Sequence, residues 1–183
     1  EQSEALWMEV ARRHASFGRW NEAAECYERA FVKRPRVGLE YAGVLLMSGD
    51  REGYQRVCRR MTQLWQDSDR PLQKSVLAAV SSISAGSGIE PEKQIVFAQR
   101  AIDGLKRRGG QQATALGLAH CRAGHFDESI LAFQDAGWRH GKPLASTAFG
   151  LFIAHHHLEN AEESRLWYDY AVLLYDAHKP HPL

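Results

Sequence analysis

The run that most invites chemistry is His155-His156-His157, with His178 and His181 following near the C-terminus. Imidazoles are the commonest metal ligands, and a structural zinc shell needs four donors converging on one point. Consecutive helical residues point about 100° apart, so three adjacent histidines diverge. Closing a shell would take His155 or His157, the tail histidines and a further ligand. The chain has no HExxH and no histidine pair four apart with a suitable carboxylate. His120 and Cys121 suggest a thiol–imidazole nucleophile, but neighbours on a helix do not face each other. Glu9, Glu22, Glu25 and Glu28 are spaced as solvated helix positions, not as a carboxylate dyad. The stretch AGSGIEP, residues 85–91, follows no strand and lacks the Gly-Lys-Ser/Thr ending of a phosphate loop. These residues predict a non-enzymatic chain without metal or cofactor. His120 is expected at a packing position, His155 in a helix seam, and His156 and His157 on a groove or in solvent.

Composition narrows the partners. The 183 residues are 44% hydrophobic and 25% charged, with a net charge of +1, so no overall field recommends nucleic acid or acidic lipid. The aromatics sit at helix-packing spacing, not on a stacking platform for single strands. No apolar run approaches the roughly 18 residues of a membrane span. Cys26, Cys58 and Cys121 are odd in number and far apart, which predicts reduced thiols in a cytoplasmic protein. No signal-peptide pattern opens the chain. It begins EQSEALW, without methionine, as expected of a segment excised from a longer protein.

The elements that must position these residues read as helices. Ala, Leu, Glu, Arg and Gln dominate, and apolar residues recur three and four apart. Cutting at the turn signals predicts ten helices, at about 4–16, 20–34, 37–48, 51–66, 71–84, 91–107, 111–123, 126–139, 144–158 and 161–178. They pair into five hairpins, 4–34, 37–66, 71–107, 111–139 and 144–178, within a single domain over 1–183. Residues 85–91 are the most flexible link expected, and Pro91 suits a first helical turn. The turn positions Gly18, Gly49, Gly124 and Glu159 align at intervals of 31, 75 and 35 residues. A helix-pair period in the mid-thirties signals a solenoid. Around Gly18 the pattern is fullest: Ala23 and Ala30 are small to let helices approach, Tyr27 fills the gap, and Pro35 stops the helix.

That pattern resembles the tetratricopeptide repeat. Trp7, Val10-Ala11, Gly18, Ala23, Tyr27, Ala30 and Pro35 match it, as do Leu116-Gly117, Gly124, Phe133 and Ala136, and Leu151, Tyr168 and Ala171. The second hairpin departs, with Tyr54 at the small position and Cys58 at the aromatic one; the third is recognisable only through Ala98 and Ala101. The stretches GDREGYQRVCRRM, HCRAGHFDESILAF and FIAHHHLENAEESRLWYDYA further resemble C-terminal repeat segments of planctomycete-type bacterial proteins that carry a kinase or WD40 propeller. No kinase motif stands in this chain.

The resemblance implies an all-α, right-handed solenoid whose first helices line a concave face. By register, the fourth hairpin presents Thr114, Leu118, Cys121 and Arg122 there. The fifth presents Phe149, Ile153, His156 and His157, and the first Met8, Arg12 and Ser16. Leu118, Phe149 and Ile153 form an apolar strip that suits a hydrophobic peptide or helix. The Lys/Asn/Arg clamp used by family members that bind C-terminal carboxylates is absent. The expected function is a protein-interaction module, regulatory toward an attached kinase. The alternatives are a groove filled by a neighbouring helix or the chain's own tail, or a spacer that self-associates through the apolar terminal helix around Leu166, Trp167, Tyr170, Leu173 and Leu174.

Overall fold

The computed structural model describes residues 2–104, 110–138 and 144–177. Ten α-helices occupy them: α1 Gln2–Ser16, α2 Trp20–Lys33, α3 Gly38–Met47, α4 Arg51–Trp65, α5 Pro71–Ser82, α6 Pro91–Asp103, α7 Gly110–Ala123, α8 Phe126–Trp138, α9 Ala145–His157 and α10 Ala161–Ala177. No strand occurs among the described residues. Pro91 stands in the first turn of α6. The expected C-terminal extension of the sixth helix, with Lys106, Arg107 and Arg108, and the tail residues His178 and His181 lie outside the described residues.

The chain divides into two compact units, residues 1–89 and 90–183. In the first, α1 packs on α2, α2 on α3, α3 on α4, and α5 on α3 and α4. In the second, α6 packs on α7, α7 on α8, α8 on α9, α9 on α10, and α7 also meets α9. The expected third hairpin, 71–107, is thus divided between the units, its first helix in one and its second in the other.

Four hairpins turn in the same way. Gly18, Gly49 and Gly124 have φ of 70°, 80° and 78°, and Glu159 has φ of 59°. The next residue's amide reaches back five residues each time: Arg19 to His14 O at 3.0 Å, Asp50 to Leu45 O at 2.9 Å, His125 to His120 O at 3.0 Å, and Asn160 to His155 O at 3.0 Å. This is the left-handed helix cap that satisfies terminal carbonyls and favours glycine. Five residues past each turn, Ala23, Tyr54, Ser129 and Ser164 are all buried.

Tyr54, the bulky exception, has a physical reason in the first unit. Its phenol hydroxyl lies 2.9 Å from Val80 O and 3.3 Å from Ser84 O, and the Ser84 amide donates to it at 3.2 Å. Tyr54 thereby ties α4 to the end of α5 and to Ser84, the residue before the stretch 85–91. That stretch contains a short 3₁₀ turn, residues 85–87, with Ser87 fully buried. The rest of the stretch 49–54 is structural too. Asp50 caps α4 by accepting the Gly53 amide at 2.7 Å, and a Cβ on Gly53 would run into that same carboxylate.

The second unit is built around Phe133, which has 0% exposure. Its ring sits against Gly117 on α7 and Gly150 on α9, where added Cβ atoms would come within 2.6 Å and 2.2 Å of ring carbons. Two glycines on successive first helices form the slot for one aromatic ring.

Candidate interaction surface

The eight expected groove residues all lie in the second unit, on α7 and α9, but they do not share one environment. The 35-residue offset from Gly124 to Glu159 pairs them as equivalents: Thr114 with Phe149, Leu118 with Ile153, Cys121 with His156, and Arg122 with His157.

Thr114 is buried at 7% exposure. Its hydroxyl lies 2.8 Å from Gly110 O and 3.0 Å from the Thr147 hydroxyl on α9. Its expected place on an open groove is therefore corrected: α9 covers it, because the next hairpin seats its first helix on this side of α7. Cys121 is half-buried by the same helix, with Sγ 2.9 Å from Ser129 Oγ and 3.9 Å from Gly150 O. Burial pushes its thiol pKa up, partly offset by Ser129 and Arg122. The carbonyl-bound Ser129 hydroxyl, 2.8 Å from Gly117 O, completes this small polar layer.

Leu118 and Ile153 stay accessible; Leu118 is half-buried and Ile153 is 40% exposed. Arg122 lies beside them and donates to Leu118 O at 3.1 Å. Leu118 stands four residues from the buried Thr114, next to the face of α7 that α9 covers. Phe149 is half-buried and makes an edge contact with Tyr168, centroids 6.5 Å apart.

The three consecutive histidines diverge, as helix geometry requires. His155 Nδ1 is 3.4 Å from Asn160 Nδ2. His156 lies 6.0 Å from the Phe152 ring, and His157 stacks on Phe126 at 4.4 Å and 6°. Among the described residues no group of three His, Cys, Asp or Glu side chains is placed to hold a metal ion. His120 and Cys121 likewise turn apart. The His120 ring lies 5.8 Å from that of His125, whose Nε2 is 3.7 Å from Glu92 on α6. Burial, and next the neighbouring His125, hold the His120 pKa below its ordinary value.

Sequence reasoning missed one feature of the first unit. A cleft of about 480 Å³ lies against α2, α3 and α4, floored by Phe31, Tyr41 and Val57, with Val32 and Leu64 exposed on its edge and Arg60 beside them. Burial raises the Tyr41 phenol to about 12, so it stays protonated. The signal was available in Val32 and Leu64, apolar residues on helix faces otherwise polar.

With this geometry established, known proteins bear on the fold. No family model matches the chain, and no curated protein matches it. Among solved structures, the crystal structure of MamA protein is similar, at 14% identity over 100% of this chain and 98% of that one, with a TM-score of 0.51. MamA is a TPR-like helical protein. At this identity the likeness concerns fold alone, and it places the chain in the all-α, TPR-like helical-repeat class. No described helix is long and apolar enough to cross a membrane.

Proposed function

We propose that the chain is a non-catalytic protein-interaction module that receives an apolar peptide or helix on the free side of α7 and α9. The observation that carries this reading is the pair Leu118 and Ile153. They are equivalent positions of successive hairpins, both apolar and both left accessible. Phe149 and His156 extend the surface along α9, and Arg122 offers a cation beside it. Such an arrangement suits a ligand with aliphatic or aromatic anchors and polar or acidic flanks. Thr114 and Cys121 contribute by seating α9, not by contact. Joined to a kinase or propeller, as the sequence resemblance implies, the module would regulate or position that domain. Two buried thiols and a third half-buried one, all free, suit a reducing cytoplasm, and the net charge of +1 favours protein over nucleic-acid partners.

Ile153→Glu and Leu118→Glu, compared with the unaltered chain, test the reading. Loss of partner capture with unchanged helicity and melting supports it. Capture that survives both folded variants defeats it. A second reading, self-association through α10, is favoured by the exposure of Leu166, Leu173 and Tyr175. Light scattering across concentration separates the two, since only self-association makes mass rise with concentration.

A further inference from the structure

A pocket of about 290 Å³ lies at the turn between α1 and α2, lined by Val10, Arg13, His14, Phe17 and Arg19. Among the described residues no acid lines it. In a chain of net charge +1, positive charge is thus gathered locally at this turn. Arg12, the neighbour of Arg13, is paired with Glu40 at 2.6 Å. Arg13 and Arg19 have no ion-pair partner among the described residues. Arg19 instead lies over the Phe17 ring, its Cζ 5.9 Å from the centroid. A guanidinium laid on a ring keeps its in-plane N–H donors available.

The other hairpins show that the repeat itself does not require these residues. Phe17, one residue before the turn, corresponds to Ser48, Ala123 and Leu158. Those three are half-buried, whereas Phe17 is 68% exposed. Arg13, five residues before the turn, corresponds to Val44, Ala119 and Ala154, all buried. A helix stacked on this side would bury Arg13 as those residues are buried, taking its charge out of water. Arg19, one residue after the turn, corresponds to Asp50. Asp50 caps α4 by accepting the Gly53 amide at 2.7 Å. Arg19 is the N-cap of α2 and makes no capping hydrogen bond. A cation there also opposes the positive end of the helix dipole, so α2 lacks two sources of stability that α4 has.

We propose that this pocket binds an acidic segment of a partner protein, with an Asp or Glu carboxylate between Arg13 and Arg19 and an adjoining aromatic or aliphatic side chain on Phe17 and Val10. Charge complementarity selects the occupant. Guanidinium forks match planar carboxylates with paired hydrogen bonds, and His14 adds a ring nitrogen. The apolar half of the pocket favours an acid that carries a side chain beside it over a bare inorganic anion, which would leave Phe17 in water. Two arginines are few for a nucleic-acid backbone, where affinity grows with the number of phosphates neutralised. The site belongs to the first unit and does not depend on the α7–α9 strip.

The probe is a fluorescein-labelled peptide with one phenylalanine flanked on each side by aspartate and glutamate, titrated into the whole chain by anisotropy. Saturable binding is expected, weakened about tenfold or more by Arg13→Gln and by Arg19→Asp, as for central contacts, and weakened by added salt. Arg19→Asp puts a capping carboxylate where α4 has Asp50, so its denaturation midpoint is expected to stay level or rise while binding is lost. Arg13→Gln reads the same contact without touching the cap. A peptide with serine in place of the phenylalanine is expected to bind more weakly, which reads the Phe17 side. No saturable binding, binding indifferent to both arginine variants, or equal binding of the serine peptide overturns the proposal. So does equal displacement by a single-stranded oligonucleotide of matched charge, which would make the pocket a general anion site. Ile153→Glu is expected to leave peptide binding intact, so failure here and failure of the α7–α9 strip are read separately. Loss of binding with Ile153→Glu would place the peptide on that strip and overturn the proposal.

Discussion

At the residue scale, most positions that look chemical are positions of packing. Gly117 shows why. With the Phe133 ring already within 2.6 Å of where its Cβ would be, Gly117→Leu is expected to overpack the second unit, destabilising it by about 1–3 kcal/mol or more. Thermal melting reads the change, and an unaltered midpoint would contradict the slot. Glu159 makes the opposite case. It holds a left-handed φ of 59° where three equivalent turns use glycine, so Glu159→Gly is expected to stabilise by about 1 kcal/mol, read as a higher denaturation midpoint. His120 gives a pH dependence. Its folded pKa is lowered, so the unfolded chain binds more protons as pH falls below the ordinary value of 6.5. Stability present above that value is lost as pH falls through it towards the lower folded pKa. His120→Gln is expected to flatten this acid-side slope; equal slopes for both proteins would contradict the assignment. Gly117 and the glycine turns were legible in sequence because a missing Cβ and a positive φ leave a local signature. Thr114 was not, because its burial is decided by Thr147 in the next hairpin.

At the scale of elements, the helices were legible nearly to their ends, since turn glycines, Pro91 and apolar spacing are all local. What joins them was less so. Tyr54 looked like a defect of the repeat at a position meant for a small side chain. It instead anchors the end of α5 through three backbone contacts at Val80 and Ser84. Tyr54→Phe is expected to cost about 1–3 kcal/mol by leaving buried backbone groups without that hydroxyl. It should also speed limited proteolysis within residues 84–90. Unchanged cleavage there would show that the loop is held by other means. The division of residues 71–107 between two units has the same origin: it depends on which helix each partner prefers, α3 and α4 for α5 and α7 for α6, and pairing preference over distance leaves no local mark.

At the scale of the molecule, the all-α repeat class follows from one period, and the likeness to MamA agrees with it. The proposed function rests on two accessible apolar residues at equivalent positions of the first helices, Leu118 and Ile153. The most direct test is hydroxyl-radical footprinting of the chain with and without a captured partner, because the label reports side-chain exposure. The account predicts loss of labelling at Leu118, Phe149, Ile153 and His156, with Val32 and Leu64 of the first-unit cleft unchanged. Protection of Phe31, Val32 and Leu64 with Leu118 and Ile153 labelled as before would contradict it, and would move recognition to the cleft between α2 and α4.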